Sequence, residues 1–277
     1  MSKPRLKAAK EILLSIPEKL KHQSCGFSYS RDKGYLAETD LMVHDHVCQS
    51  LREHFPDDHI ISEEDSFSDS SKEEIEYSWI LDPVCGTTNY LYKIPFFAHS
   101  LSYCLNGKVM GACIFDSVHG ELFWTDGQHS YLNEHLITVS QTECLDQALI
   151  SLNCNQSRKD KSDPYDTIEE LTRQFAPPVC RRIHILESAN LELAYVACGR
   201  LDAYINPHDK LWDVSAGSLL IRCAGGHSRF FHEYGNSSGE IGIVASNTPL
   251  FSDICRRIWP VGQAMTAEEP HEPEKLL

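Results

Sequence analysis

The spacing of apolar positions changes along the chain, and each change marks an element. From Ser2 to Leu20 apolar residues recur at helical intervals among lysines, which predicts an amphipathic first helix. Leu41, Cys48, Leu51 and Phe55 make a second helical stripe over 40–55, with Thr39 as its candidate N-cap. His59–Ser62 reads as a short strand running into Glu63-Glu64-Asp65, and Trp79-Ile80-Leu81 as a buried strand. The Ser- and acid-rich stretch 66–77 between them reads as a surface loop.

Strand signals then dominate. Apolar runs at 97–105, 109–115 and 121–124 are separated by Asn106-Gly107 and His119-Gly120, and Asn-Gly between such runs is a hairpin signal. The second half alternates. It reads as a strand at 149–152, helices at 163–175 and 191–198, a strand at 203–205, a helix at 213–224, a strand at 241–245 and a helix at 249–258. Gly199 and Gly225-Gly226 stand where helices stop. This order predicts mixed, layered α/β structure and not a pure parallel βαβ series. Pro177-Pro178 is a candidate subdomain joint, but no long linker interrupts 1–262, which reads as one domain. The acidic, Pro-containing stretch 263–277 reads as a disordered tail.

Composition changes this picture only at its margins. A chain of 277 residues, 42% hydrophobic and 23% charged, has the make-up of a soluble protein with a sizeable core. A formal net charge of −15 argues against nucleic acid as a partner, though a local metal site can still admit a small phosphate. No apolar stretch is long enough to span a bilayer, so no membrane partner is expected. The eleven scattered cysteines, with no Cys-x-x-Cys pair and no secretory signal, fit reduced thiols in the cytoplasm. Cys104, Cys113, Cys198 and Cys223 sit in apolar runs and read as small buried hydrophobes.

Candidate chemistry concentrates at strand ends. Asp82-Pro83-Val84-Cys85 follows the Trp79–Leu81 strand and precedes Gly86-Thr87-Thr88-Asn89 at the start of a short helix. A carboxylate and a carbonyl beside exposed N–H groups suit a divalent cation held against a phosphate. Glu63 ends another strand, and Asp213 starts a helix after Trp212. Singly, Glu63 reads as a solvated loop acid and Asp213 as an N-cap. Together with Asp82 they read as one cleft.

At these residues the chain resembles the inositol monophosphatase family, within the magnesium-dependent, lithium-sensitive phosphatase superfamily. Trp79 to Tyr90, with Pro95-Phe96, is similar to the family's first signature, and Leu211-Trp212-Asp213-Val214-Ser215-Ala216-Gly217 to its second. Glu63-Glu64, Glu121-Leu122-Phe123 and Leu193 to Tyr204 also look like family segments, in order from about residue 5 to 260. The resemblance implies a layered α/β/α/β/α sandwich of the inositol monophosphatase/fructose-bisphosphatase type. It also implies a homodimer and a phosphatase that uses Mg2+ to hydrolyse small phosphate monoesters. Carried over, Glu63, Asp82 and the Val84 carbonyl would hold a first metal, and Asp82, Cys85 and Asp213 a second. Gly86 and Thr87 would donate N–H groups to phosphate. Asp40 paired with the Thr87 hydroxyl, together with Glu63, would orient water. The underlying physics is general: two metals roughly 4 Å apart clamp the attacking and leaving oxygens of an in-line displacement.

The pattern breaks at Cys85, where family members have Asp. A free thiol, with a pKa of about 8.5, is mostly neutral at pH 7, and thiolate suits Zn2+ or other softer ions better than Mg2+ or Mn2+. Three readings stay open. The site is a weakened or one-metal phosphatase; or it is retuned to a softer metal or a reactive thiol; or it is a degenerate site that only binds a phosphorylated ligand. A second break lies on the substrate side. Asn206 stands seven residues before Asp213, where inositol-specific members have an acidic side chain, and Glu187-Ser188 replaces the usual Gly-Ser or Gly-Thr, followed by Asn190. Glu187, Ser188, Asn206 and Asp213 are thus candidate substrate contacts, and myo-inositol phosphate is a doubtful substrate. Thr87-Thr88-Asn89 argues against the bisphosphate nucleotidases. His44-Asp45-His46 is metal-like in composition, but residues two apart on a helix point apart. His227 and His232 read as strand-surface residues. The expected ligand is a small sugar, cyclitol or related metabolite phosphate.

Overall fold

The computed structural model describes residues 3–20, 27–30, 34–65, 76–153, 168–231 and 239–259. Most of the loop expected at 66–77, the start of the helix expected at 163, His232 and the tail at 263–277 lie outside these residues.

Helix α1 (Lys3–Leu20) buries Ala8, Ala9, Ile12, Leu13 and Ile16, a single stripe as the spacing predicts. A hairpin of β1 (Phe27–Ser30) and β2 (Gly34–Ala37) leads directly into α2 (Glu38–His54). Because α2 begins at Glu38, Thr39 lies inside its first turn and is not its cap; its hydroxyl donates to Tyr90 Oη at 3.0 Å. The buried stripe is Asp40, Val43, Val47, Cys48 and Leu51, while Leu41 is 43% exposed. The expected stripe at 41 and 48 was thus out of phase at its first member.

Seven strands form the first sheet: β3 (His59–Ser62), β4 (Tyr77–Cys85), β5 (Ala98–Leu105), β6 (Lys108–Asp116), β7 (Glu121–Thr125), β8 (Ser130–Leu132) and β9 (His135–Ile137), in that spatial order. Helix α3 (Thr87–Leu91) interrupts the path from β4 to β5. Asn106 and Gly107, at φ 50° and 78°, make the left-handed turn that the β5–β6 hairpin needs. The last two strands are short and were not expected from the apolar pattern. Five strands form the second sheet. In chain order they are β10 (Leu149–Leu152), β11 (Arg182–His184), β12 (Ala203–Asn206), β13 (His227–Phe230) and β14 (Ile243–Ser246), and in space β11-β10-β12-β14-β13. The remaining helices are α4 (Ile168–Phe175), α5 (Ala189–Ala197), α6 (Leu211–Cys223) and α7 (Thr248–Ile258).

Side-chain alternation along β4 sorts these elements into layers. Trp79 and Leu81 face one core with α1 and α2, whereas Ile80 faces another with α5 and α6. The opposite side of α5 and α6 packs on the second sheet, whose outer face is closed by α4 and α7. Helices, sheet, helices, sheet, helices is the expected α/β/α/β/α sandwich. Both middle helices are apolar nearly all round, as burial between two sheets requires. The outer helix α1 is fastened at the sheet edge by Arg5. Its guanidinium donates from Nε and Nη2 to Asp58 at 2.7 and 2.6 Å and lies 3.6 Å from the Tyr77 ring.

Helices α5 and α6 approach closely at Gly217, where an added Cβ would lie 2.4 Å from Leu193 Cβ. Gly217→Ala is therefore expected to destabilise the fold by about 1–3 kcal/mol, as overpacking does. Urea unfolding would measure it, and an unchanged midpoint would show that the two helices are not held at this distance.

Candidate metal and phosphate site

The parallel pairing of β3 with β4 sets Ser62 opposite Leu81, and Glu63 N–H donates to Leu81 O at 3.3 Å. This register brings Glu63, the first residue past β3, alongside Asp82. The antiparallel register of β4 with β5 then shifts between Asp82 and Cys85. That bulge turns the Asp82–Cys85 segment out of regular pleat and toward the start of α6. There Asp213 occupies the third position of the helix and accepts from Lys210 N–H at 2.8 Å through Oδ2. Candidate ligand atoms of Asp82, Cys85 and Asp213 lie within 4.8 Å of one another.

The bulge is braced from behind. His99 Nδ1 lies 2.6 Å from Pro83 O and Nε2 3.2 Å from Ser117 Oγ. A carbonyl only accepts, so Nδ1 carries the proton and Nε2 accepts from the hydroxyl. Gly86, at φ 99°, begins α3. A Cβ on it would lie 3.2 Å from Glu187 O and from Ser188 Cβ, so both conformation and space call for glycine. Thr87 Oγ1 lies 2.9 Å from Asp40 Oδ1 and 3.1 Å from Val84 O, and its single proton points to the nearer, charged acceptor, Asp40. Asn89 Nδ2 donates to Phe96 O at 2.8 Å and Leu186 O at 2.6 Å, tying α3 to the segment before α5.

The substrate-side candidates sit at this junction. Glu187 is exposed, with φ 55°. Ser188 is buried; its hydroxyl donates to Cys85 O at 2.8 Å and its N–H to Glu192 Oε2 at 2.9 Å. Asn206 is buried as well. Its amide donates to Asp209 and, at 3.4 Å, to Tyr204 Oη, while its oxygen accepts from His208 N–H at 3.0 Å. Both ends of the Asn206 amide are thus spent inside its own loop, which leaves it shaping the wall and not reaching across it.

Electrostatics single out the acids. Burial and then the charges of Asp82 and Asp213 hold the Glu63 carboxyl well above the ordinary range. Asp82 is raised by burial and by Asp213, with partial relief from hydrogen bonds to Cys85 and Asn190. Asp213 is pushed up to about 6 by burial, partly offset by Lys210. Burial also pushes the Cys85 thiol up. Such a cluster calls for positive charge. Asp82 Oδ1 is buried with no hydrogen-bond partner, as a metal-facing oxygen would be. Glu63, Asp82 Oδ1 and the Val84 carbonyl are all oxygen donors, the donor chemistry a hard divalent cation takes. The donors for a second ion lie close enough together, but one is a thiol and two already accept from Asn190. Asp82 Oδ2 accepts from Asn190 Nδ2 at 2.9 Å, and Cys85 Sγ accepts from Asn190 N–H at 3.3 Å.

Asn190 carried no assigned role in the sequence, although a lone amide in the apolar run of α5 is a readable signal. The histidines of 44–46 point apart as expected, but His44 and His46 are half-buried and not a solvated face: His44 Nδ1 meets Ser62 Oγ at 2.8 Å and His46 Nε2 meets Ser15 Oγ at 2.7 Å. No helix among the described residues is long and apolar enough to cross a membrane.

One buried and two half-buried acids facing a Gly-Thr helix start point to a class: a metal-assisted hydrolase of phosphate monoesters. The inositol monophosphatase family model matches residues 3–263. An inositol monophosphatase from Dictyostelium discoideum is 32% identical over 221 residues, 78% of this chain and 79% of that protein. Nus factor SuhB from Pseudomonas aeruginosa is 32% identical over 248 residues, 88% of this chain and 86% of that protein. The solved inositol monophosphatase from Anabaena superposes with a TM-score of 0.73 at 26% identity, covering 94% of this chain and 98% of its own. The chain belongs to the inositol monophosphatase family, which makes it a phosphoric monoester hydrolase.

His99 gives a pH test of the brace. Burial lowers its pKa to about 4 from an ordinary 6.5, so the fold holds it neutral. Stability from this group is complete above about 6.5 and is lost as pH falls toward about 4, by about 3 kcal/mol in all. NMR titration of the ring should find it neutral and Nδ1-protonated at pH 5.5; a midpoint near 6.5 would remove the brace.

Proposed function

We propose that the protein hydrolyses the phosphate monoester of a small sugar, cyclitol or related metabolite. It would do so with a divalent cation, Mg2+ before Mn2+ or Zn2+, held by Glu63, Asp82 and the Val84 carbonyl. The observation that carries this reading is the buried, unpartnered Asp82 Oδ1 beside two further acids. The cation would supply positive charge to neutralise the developing charge on phosphate oxygen. Zn2+ has little advantage at a set made of carboxylate and carbonyl oxygens, which suit a hard ion.

The chain's own groups divide the remaining work. Gly86 and Thr87 N–H groups, at a helix start with no intrahelical acceptor, would receive phosphate oxygens. Asp40 takes the Thr87 proton, which leaves a Thr87 lone pair to accept from water and aim it. Glu63 would take the proton as that water attacks. Asp213 closes the acidic wall. Glu187, exposed beside Gly86, would meet the substrate's hydroxyl groups, with Ser188 and Asn206 setting the shape of the wall. A homodimer is carried over from the family resemblance, and a cytoplasmic setting is supported by nine free cysteines among the described residues.

A second reading, a binder of phosphorylated ligand without hydrolysis, is favoured by one observation: Cys85 replaces an expected metal-binding acid. Phosphate release from sugar and cyclitol phosphates with Mg2+, Mn2+ or Zn2+ separates the two. Turnover is expected with Mg2+, and Thr87→Ala and Glu63→Gln should each lower kcat by roughly a hundredfold or more. Binding of these phosphates with no turnover under any metal would establish the second reading instead.

A further inference from the structure

Asn190 is fully buried, yet it makes three polar contacts in the place expected for a second metal. Its Nδ2 donates to Asp82 Oδ2 at 2.9 Å and to Trp212 O at 3.1 Å, and its backbone N–H donates to Cys85 Sγ at 3.3 Å. The amide orientation is dictated by chemistry. Both neighbours of Nδ2 are acceptors, so an oxygen there would face two oxygens. One residue therefore touches Asp82 and Cys85, two of the three side chains expected around a second cation, and bonds to the residue preceding the third, Asp213.

We infer that the Asn190 amide takes the place of the second cation, so that the site binds a single divalent ion; this rests on the metal-dependent reading of the site. A dication bound between Asp82, Cys85 and Asp213 would compete with the Nδ2 protons for the same Asp82 oxygen. A thiol in place of a carboxylate also removes one negative charge from the wall. The remaining acids, Glu63, Asp82 and Asp213, face less uncompensated charge once one dication is bound. Two N–H donors then supply to Asp82 and Cys85 part of the positive potential that a second ion would have supplied, without an ion to recruit. Asn190 is thus a positioning residue: it fixes Asp82 in the orientation that directs Oδ1 to the one ion. It also anchors the first turn of α5 against the start of α6 through Trp212.

The inference predicts that Cys85 and Asn190 act together. Restoring the acid alone, Cys85→Asp, leaves Asp82 Oδ2 occupied by the amide and should not add a second ion. Cys85→Asp combined with Asn190→Ala should. The test counts Mn2+ bound per chain by equilibrium dialysis with EPR detection of free Mn2+, in the presence of inorganic phosphate. One ion per chain is expected for the natural protein and for Cys85→Asp, and two for the double variant. Two ions on the natural protein, or two on Cys85→Asp alone, would overturn the inference while leaving the phosphatase reading intact. No bound ion at all would overturn both. Because Asn190→Ala could fail to fold, the natural protein carries an independent readout: titration with Co2+. Absence of a thiolate-to-cobalt charge-transfer band is expected. Its appearance would place Cys85 in a metal's coordination shell and overturn the inference by itself.

Discussion

Three carboxylates in one poorly solvated pocket repel one another, and the arrangement around them follows from that constraint. Glu63, Asp82 and Asp213 come from three separate elements, the ends of β3 and β4 and the first turn of α6. Each is held above its ordinary pKa chiefly by burial, with neighbouring charge adding to it at Glu63 and Asp82. Left alone, such a cluster would relax by protonation or by swinging apart. The surroundings prevent the second course: Lys210 N–H holds Asp213, Asn190 holds Asp82, and parallel pairing holds Glu63. A cluster kept together in this way is relieved by protonation or by a bound cation.

Rigidity behind the site comes from polar groups that are each satisfied from the rear. His99 fixes Pro83, Asp40 fixes Thr87, and Asn89 bridges α3 to the loop before α5. Below them Glu192 accepts from Ser151, Asn153 and Ser188 N–H, while Asp209 accepts from Tyr204 and Asn206. These two acids belong to the floor and not to the reacting surface. Their oxygens are already occupied by donors, whereas Asp82 Oδ1 is not. That contrast, and not acidity alone, distinguishes a scaffold carboxylate from one prepared for an ion.

Much of this was legible in the sequence wherever the signal was local. Asn106-Gly107 declared its hairpin, Gly199 its helix stop, and Trp79 to Asn89 the strand, turn and helix start that make the site. The errors were those of short range as well. Leu41 was placed on a buried stripe that actually runs through Asp40, Val43 and Val47, because a buried aspartate cannot be recognised before its partner Thr87 is known to be near. β8, β9 and β11, three residues each, are held by pairing with neighbours and carry too little pattern of their own. What Asn190 contacts, as distinct from its presence in an apolar run, could not be read for a deeper reason. It lies 108 positions from Asp82 in the chain, and only packing of α5 against the bulge brings them together.

Cys85 acquires a different meaning in that packing. On its own, a thiol in place of an acid suggests decay of the site, a change of metal, or a reactive sulfur. A reactive sulfur needs an accessible thiolate, and Cys85 is 5% exposed with burial pushing its thiol up. A soft-metal site needs further soft or imidazole donors beside the sulfur, yet its neighbours are carboxylates. Random decay would leave Asp82 Oδ2 without a partner, whereas it has a donor at 2.9 Å. The thiol and the amide are better understood as one change in two places. One residue withdraws a charge from the pocket and the other supplies the donor that the charge would otherwise have drawn from an ion.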